Sequence, residues 1–292
     1  MKLNTFSRIE TWNDRVARRT RNCFNSIQIA IGGKGMLKKG LLIAALLLIM
    51  SNVATAKDIL ITNDTGTQGK GHLLVEVNSE FSFDEESADG VTTKESGIEF
   101  ESIFSYGLAE NIDFIVALPY AWNKVKEDGV TIQKEEGISD VGLELKWRFY
   151  EKDGLSFALK PGISLPTGDD EKGLGAGRAA YGIFFITTKE VQPLLFHLNL
   201  AYTRNENKVD ERKDIWYASL SGEVELIKKL TFIGNVGVQT NTDPASGSPP
   251  AFILGGFNYE VTDAFSVNAG IKGGLTRAET DYAVLTGLAW RF

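Results

Sequence analysis

The chain has 292 residues, 31 Lys/Arg against 38 Asp/Glu and a formal charge of -7. It has neither the uninterrupted apolar runs of a helical membrane protein nor the low hydrophobicity of a disordered chain, which leaves a soluble domain or a membrane barrel.

The longest apolar run, Leu41 to Met50, is ten residues, whereas a spanning helix needs about 20. Lys38 and Lys39 precede this run, and Ala54-Thr55-Ala56 follows it with the small-x-small pattern of a signal peptidase site. We therefore expect residues 36–56 to be an export signal cleaved after Ala56; the competing reading is a short buried helix. Residues 1–35 lie upstream of Met36, itself a natural start, and are read as an extension outside the fold. Losing residues 1–56 removes nine Lys/Arg and two Asp/Glu, leaving 22 basic and 36 acidic residues, a net -14. Such a charge argues against a nucleic-acid partner. The only cysteine, Cys23, goes with this part, so the remainder forms no disulfide.

Residues 57–70, with Asn63, Asp64, Thr65 and Gly66, are expected either to stay in the periplasm or to tuck into a lumen as a small plug. From residue 71 onward, stretches of ten to twelve residues alternate apolar and polar, the period of a strand with one wet and one apolar face. In the clearest, Ile112, Phe114, Val116, Leu118, Tyr120 and Trp122 share one parity, and Asp113, Ala117, Pro119, Ala121 and Asn123 the other. At 138–149, Val141, Leu143, Leu145, Trp147 and Phe149 alternate with Asp140, Gly142, Glu144, Lys146 and Arg148. Charges on one full face would be costly in a two-sided soluble core but suit an aqueous lumen.

Twelve strands are predicted, near 71–83, 96–106, 111–123, 138–149, 155–166, 178–188, 193–204, 214–226, 230–241, 251–261, 265–275 and 282–292. Long polar connections at 84–95, 124–137, 167–177, 205–213 and 242–250 alternate with short turns, as external loops and periplasmic turns do. The sixth strand is apolar on both parities at Tyr181, Ile183, Phe184, Phe185 and Ile186, so its inner face is expected to meet protein, such as a loop folded into the lumen. The last strand puts Tyr282, Val284, Thr286, Leu288, Trp290 and Phe292 on one parity. Its aromatic end resembles the terminal strand that outer-membrane assembly machinery recognises. The expected fold is therefore all-β: residues 71–292 as a transmembrane up-and-down antiparallel β-barrel of about 12 strands in a bacterial outer membrane. A soluble β-sandwich is the rival, since it also alternates and turns every ten residues.

Five segments strengthen this reading: Gly69-Lys70-Gly71; Tyr106-Gly107-Leu108 with Asn111; Ile138-Ser139-Asp140-Val141-Gly142 leading to Lys146-Trp147-Arg148-Phe149; Pro166-Thr167-Gly168-Asp169; and the closing Gly287-Leu288-Ala289-Trp290-Arg291-Phe292. Over roughly residues 66–292 the chain resembles the family named for the meta-pathway of phenol degradation, a group of outer-membrane transporters. The resemblance implies a barrel and suggests uptake of small, often aromatic, compounds.

Chemistry-bearing motifs are scarce. Neither cofactor nor metal is expected: the two histidines, His72 and His197, fall in predicted strands on lumen parity, and no His-x-x-x-His or Cys-x-x-Cys spacing occurs. Gly173-Leu174-Gly175-Ala176-Gly177 lacks the lysine of a phosphate-binding loop and reads as a flexible external loop. Asp169, Asp170 and Glu171 are acidic enough to attract Ca²⁺ but read more simply as a solvated loop near lipopolysaccharide.

The functional clue is lumen charge. On that parity stand Glu76, Glu80, Glu99, Glu101, Asp113, Asp140, Glu144, Glu223, Glu225 and Glu260 against Lys146, Arg148, Lys160, Lys272 and Arg291. Acidic rows favour cations. The predicted function is passive uptake of a small solute through a narrow acidic lumen, with Glu99, Glu101, Glu144, Arg148 and Glu223 as selectivity groups and no enzymatic step. The alternatives are a non-conducting structural or adhesion barrel closed by its own ion pairs, and a lipid-acting barrel enzyme, which lacks a base facing the bilayer. Expected partners are outer-membrane lipid, lipopolysaccharide, the assembly machinery at Phe292 and the solute.

Overall fold

The computed structural model describes residues 61–88 and 90–292; the expected extension, 1–35, and signal peptide, 36–56, lie outside the described residues. Thirteen strand segments follow one another: β1 (Leu73–Ala88), β2 (Val91–Ala109), β3 (Ile112–Glu127), β4 (Val130–Ile138), β5 (Val141–Lys152), β6 (Leu155–Leu165), β7 (Ala180–Val191), β8 (Leu194–Arg204), β9 (Asp214–Ile227), β10 (Leu230–Gln239), β11 (Ala251–Thr262), β12 (Phe265–Gly274) and β13 (Tyr282–Arg291). All pairings are antiparallel, and β13 returns to β1 from Leu74↔Arg291 to Phe83↔Tyr282, closing the sheet on itself. β4 pairs with the upper half of β3 and β5 with its lower half, so the two are one stave broken at Ser139–Asp140. The barrel therefore has twelve staves.

Period-two alternation sorts every stave into an outer and an inner face. Leu198, Leu220, Val236 and Ile253 lie side by side across β8 to β11, and all four are exposed. Such a contiguous apolar belt is unfavourable in water and fitted to lipid. Aromatic rings border it: Trp147, Phe149, Phe157 and Phe185 form a chain of contacts at 5.6–6.2 Å towards one end, and Phe83–Tyr282 and Tyr202–Trp216 pair at 5.0 and 4.9 Å at the other. At the base, Trp290 touches Phe265 and Phe292. These positions match the interfacial girdles of membrane barrels.

Two of the expected long loops are strands. Residues 84–95 continue β1 and β2 to a tight tip near Gly90, and 124–137 continue β3 into β4 through Asp128–Gly129, with both φ angles positive. The ladder extends because paired backbone needs no apolar face above the membrane; polarity towards the tips reports exposure to water rather than a loop, while Glu95 and Val125, nearer the membrane, are buried. The short turns sit at the opposite end, as at Asp153–Gly154.

The doubly apolar β7 splits as a strand must. Tyr181, Ile183 and Phe185 face outward, while Ile186 is fully buried and Phe184 meets the edge of Tyr217 at 6.1 Å with the Lys160 ammonium 4.9 Å from its ring. Its inner face meets protein, but the neighbour is the N-terminal segment, where Thr65 N–H donates to Thr188 Oγ1, rather than a folded-in loop.

A charge placed in the belt tests which face meets lipid. Leu220→Arg is expected to destabilise the folded barrel by about 2–4 kcal/mol, and Ile227→Arg, at the strand end, by about 0–1 kcal/mol; denaturant titration in liposomes reads the difference.

Candidate functional site in the barrel lumen

Residues 61–72 run through the barrel interior to the foot of β1. Inward Asn, Ser and Thr side chains of β6 to β10 present donors and acceptors that a peptide segment can use. Thr62 Oγ1 donates to Ser219 Oγ at 2.7 Å and is itself met by Asn235 Nδ2. Asn199 clasps Asn63 twice: its Oδ1 accepts from Asn63 N–H at 2.8 Å and its Nδ2 donates to Asn63 O at 2.7 Å. Thr65 reaches Ser156 as well as Thr188. Across the lumen, Gln68 N–H donates to both oxygens of Asp113 at 3.0 and 3.1 Å.

Lys146 ties the middle of the segment, with its ammonium 3.4 Å from Asp64 and 3.0 Å from Gly66 O. Burial pushes the Asp64 carboxyl up, but Lys146, His197 and the Gly66 amide outweigh it and hold the group below its ordinary value. The ion pair's stabilisation is thus complete above the ordinary carboxylate range and is lost as pH falls through the lowered value.

The other side of the lumen holds a cavity of about 470 Å³ walled by β1, β2, β3, β5 and β6. Its charged lining is Glu76, Glu80, Glu99, Glu101, Asp113, Asp140 and Glu144 against Lys146 and Lys160. Lysines answer part of this charge: Lys160 lies 2.8 Å from Glu144, and Lys272 lies 2.6 Å from Glu80 and 3.3 Å from Glu279.

The predicted selectivity residues separate accordingly. Glu99, Glu101 and Glu144 line the cavity together. Arg148 does not; it stands at the base, 3.2 Å from Glu151 and donating to Glu110 O. Glu223 is buried against His197, whose Nε2 lies 3.1 Å from Glu223 Oε1 and whose Nδ1 is 2.9 Å from Thr188 Oγ1. It braces the wall rather than facing the opening. His72 is not in a strand; it is exposed just before β1. Glu225 and Glu260 sit at the turn end, where Glu225 accepts from Lys229 N–H.

The short motifs meet in pairs. Gly71 N–H donates to Gly107 O and Gly107 N–H to His72 O, so Gly69-Lys70-Gly71 lies on Tyr106-Gly107-Leu108; a Cβ on Gly107 would come 1.8 Å from Gly69 O. At the other end, Asp140 accepts from Gly168 N–H at 2.9 Å and Ala176 N–H at 2.8 Å, and Thr167 Oγ1 bridges Val141 N–H and Ser139 O. The glycine-rich 173–177 stretch, read as a free external loop, is therefore pinned to the wall, with Leu174 buried. Among the described residues no group of three or more His, Cys, Asp or Glu is arranged to hold a metal ion.

Sequence reasoning missed the grip of Thr188, Asn199, Ser219 and Asn235 on the N-terminal segment. The available signal was the inward parity of β7 to β10, rich in small amides and hydroxyls where β1, β2 and β5 carry charges.

The family model described as "Putative MetA-pathway of phenol degradation" matches residues 62–292. The chain belongs to this family. The matched region begins with the lumen-crossing segment and takes in every stave. An outer-membrane channel from Pseudomonas putida F1 superposes with a TM-score of 0.61 at 13% identity, covering 80% of this chain and 100% of that one. Two looser similarities are the NanC porin (TM-score 0.49, 9% identity, 74% of this chain and 98% of that one) and the CymD monoaromatic hydrocarbon channel (0.43, 10%, 80% and 94%). No curated protein matches the chain. The closed barrel, its lipid-facing belt and its family place it in the bacterial outer membrane.

Removing the clasp should loosen the segment without opening the wall. Asn199→Ala is expected to weaken its docking by about 1–3 kcal/mol, because Asn63 loses partners in a buried setting; faster amide hydrogen exchange at Asn63 and Thr65, with β8 amides still protected, is the readout.

Proposed function

We propose that this protein is a passive outer-membrane channel for small solutes, with residues 61–68 as a plug across a narrow lumen and Glu99, Glu101 and Glu144 as its selectivity groups. The observation that carries the reading is the acidic cavity beside the plug: a space of about 470 Å³ with seven carboxylates and two lysines on its wall. Purely structural barrels gain nothing from holding like charges around a void, whereas a pathway gains local enrichment of cations. Twelve staves lie between the eight that side chains just fill and the sixteen that leave a wide channel. Passage is then narrow, and the plug narrows it further.

Solute flux needs no cofactor and no covalent step. Family membership favours small aromatic compounds as the solutes, and the lower cavity wall offers Leu74, Ile103 and Ile115 for contact with a ring. Arg148, at the base, is assigned to the periplasmic exit. The second reading, a non-conducting barrel, draws on the plug's hydrogen bonds to both sides of the lumen.

Single-channel current in a planar bilayer separates the two. The protein is expected to conduct weakly with a cation-preferring reversal potential, deletion of residues 61–68 to raise conductance several-fold, and Glu99→Gln with Glu101→Gln to reduce the preference. Silence from both the intact protein and the deletion, with folding confirmed, overturns the channel.

A further inference from the structure

The charged cavity is unevenly compensated. Glu144 has Lys160 and Glu80 has Lys272, but the carboxylates of Glu76, Glu99 and Glu101 make no hydrogen bond or ion pair among the described residues. Glu76 is only 7% exposed, and it lines the cavity. Lys146 and Lys160 act on Glu76 only through space, and a carboxylate so buried without a hydrogen bond carries a desolvation cost that a cationic donor would relieve. A second observation comes from a different element and a neutral group: Gln68, on the plug, lines the same cavity, and its Oε1 is buried with no donor. Both orphans are hydrogen-bond acceptors.

Register places these groups in order along the barrel axis. β1 and β2 pair as Glu80↔Glu99, Asn78↔Glu101, Glu76↔Ile103 and Leu74↔Ser105. Glu80, Glu99 and Glu101 therefore occupy the upper rows, with Glu99 and Glu101 about 6.6 Å apart along one face of β2, and the apolar side chains Leu74, Ile103 and Ile115 lie in the rows below, where Ile103 is opposite Glu76 and Ile115 opposite Glu144. The acids are spread along the wall rather than converged, and among the described residues no set of ligands has metal-binding geometry. What matches is a molecule with a donor-rich cation at one end and an apolar body at the other, of a size ordinary for a pocket of a few hundred Å³.

We propose that the cavity is a binding site for small organic primary amines with an apolar or aromatic body, the ammonium held among Glu76, Glu99 and Glu101 and the body resting on Leu74, Ile103 and Ile115. This deepens the channel reading by naming its solute class and rests on that reading only for access from outside.

Calorimetric titration of the folded protein in detergent tests it without requiring conductance. Benzylamine is the probe, with benzyl alcohol and benzoate as neutral and anionic counterparts of the same shape. Saturable 1:1 binding of benzylamine is expected, at least tenfold tighter than benzyl alcohol, with no benzoate binding. Glu99→Gln with Glu101→Gln should lower benzylamine affinity at least tenfold and leave benzyl alcohol within twofold; circular dichroism and thermal unfolding confirm the barrel. Equal affinity for amine and alcohol, or an unchanged affinity in the double variant, overturns the site. Stoichiometric Mg²⁺ binding that excludes benzylamine also overturns it, in favour of a hard-cation site. Benzylamine binding by a protein silent in bilayers would leave the site standing and remove the channel.

Discussion

A strand in hydrocarbon has no water for its peptide groups, so each N–H and C=O must be met by a neighbouring strand, and only a sheet without edges satisfies them all. Here closure rests on β13 meeting β1 over ten residue pairs, finished by Leu73 and Phe292 exchanging backbone hydrogen bonds in both directions. Everything else follows from that ring. Closing it fixes which parity is inside, and a one-residue slip would turn Leu288 inward and Ala289 towards lipid. Because the ring is small, its inner side chains face one another across a space that a single peptide segment can bridge.

That enclosed space is divided chemically. From β6 to β10 the inner face carries Ser156, Thr188, Asn199, Ser219 and Asn235, neutral groups that both donate and accept, and these hold the plug. From β1 to β5 it carries carboxylates and Lys146. Neutral groups suit a peptide because each backbone N–H and C=O can be paired without desolvating a charge. Lys146 is where the two halves join, bonding the plug through Asp64 and Gly66 from the charged wall.

The barrel was legible in the sequence because lipid enforces alternation one residue at a time, a local rule: Val141 to Phe149 shows it without knowledge of any partner. Staves fell within a few residues of expectation. Polar segments were misread where the rule lapses, since towards their tips 84–95 and 124–137 are largely exposed on both faces and keep their ladders through backbone pairing with polar side-chain contacts such as Lys94–Glu85. The site was legible only by parity. Glu99, Glu101 and Glu144 were placed inside correctly, but whether a lumen acid meets a base depends on contacts between residues far apart in the chain. Lys272 with Glu80 joins residues 192 positions apart, and His197 with Glu223 removes a carboxylate from the lumen surface. Neither pairing has a sequence period.

Short family-like words acquire their meaning at the same long range. Ile138-Ser139-Asp140 and Pro166-Thr167-Gly168 are separate on the chain, yet Asp140 and Thr167 interlock them into one knot at the barrel mouth. The knot lies where the β4–β5 stave breaks: Ser139 N–H still donates to Pro119 O of β3, while Ser139 O and Val141 N–H are met by Thr167 Oγ1 from the β6–β7 connection. Gly69 against Gly107 does the equivalent at the base, where any side chain on Gly107 would collide with the incoming segment. Both ends of the acidic wall are thus held by contacts between distant segments, side chain to backbone at the mouth and backbone to backbone at the base. Between them Lys160 pairs with Glu144 and Lys272 with Glu80, so the lysines neutralise part of the wall and leave more carboxylates than ammonium groups around the cavity.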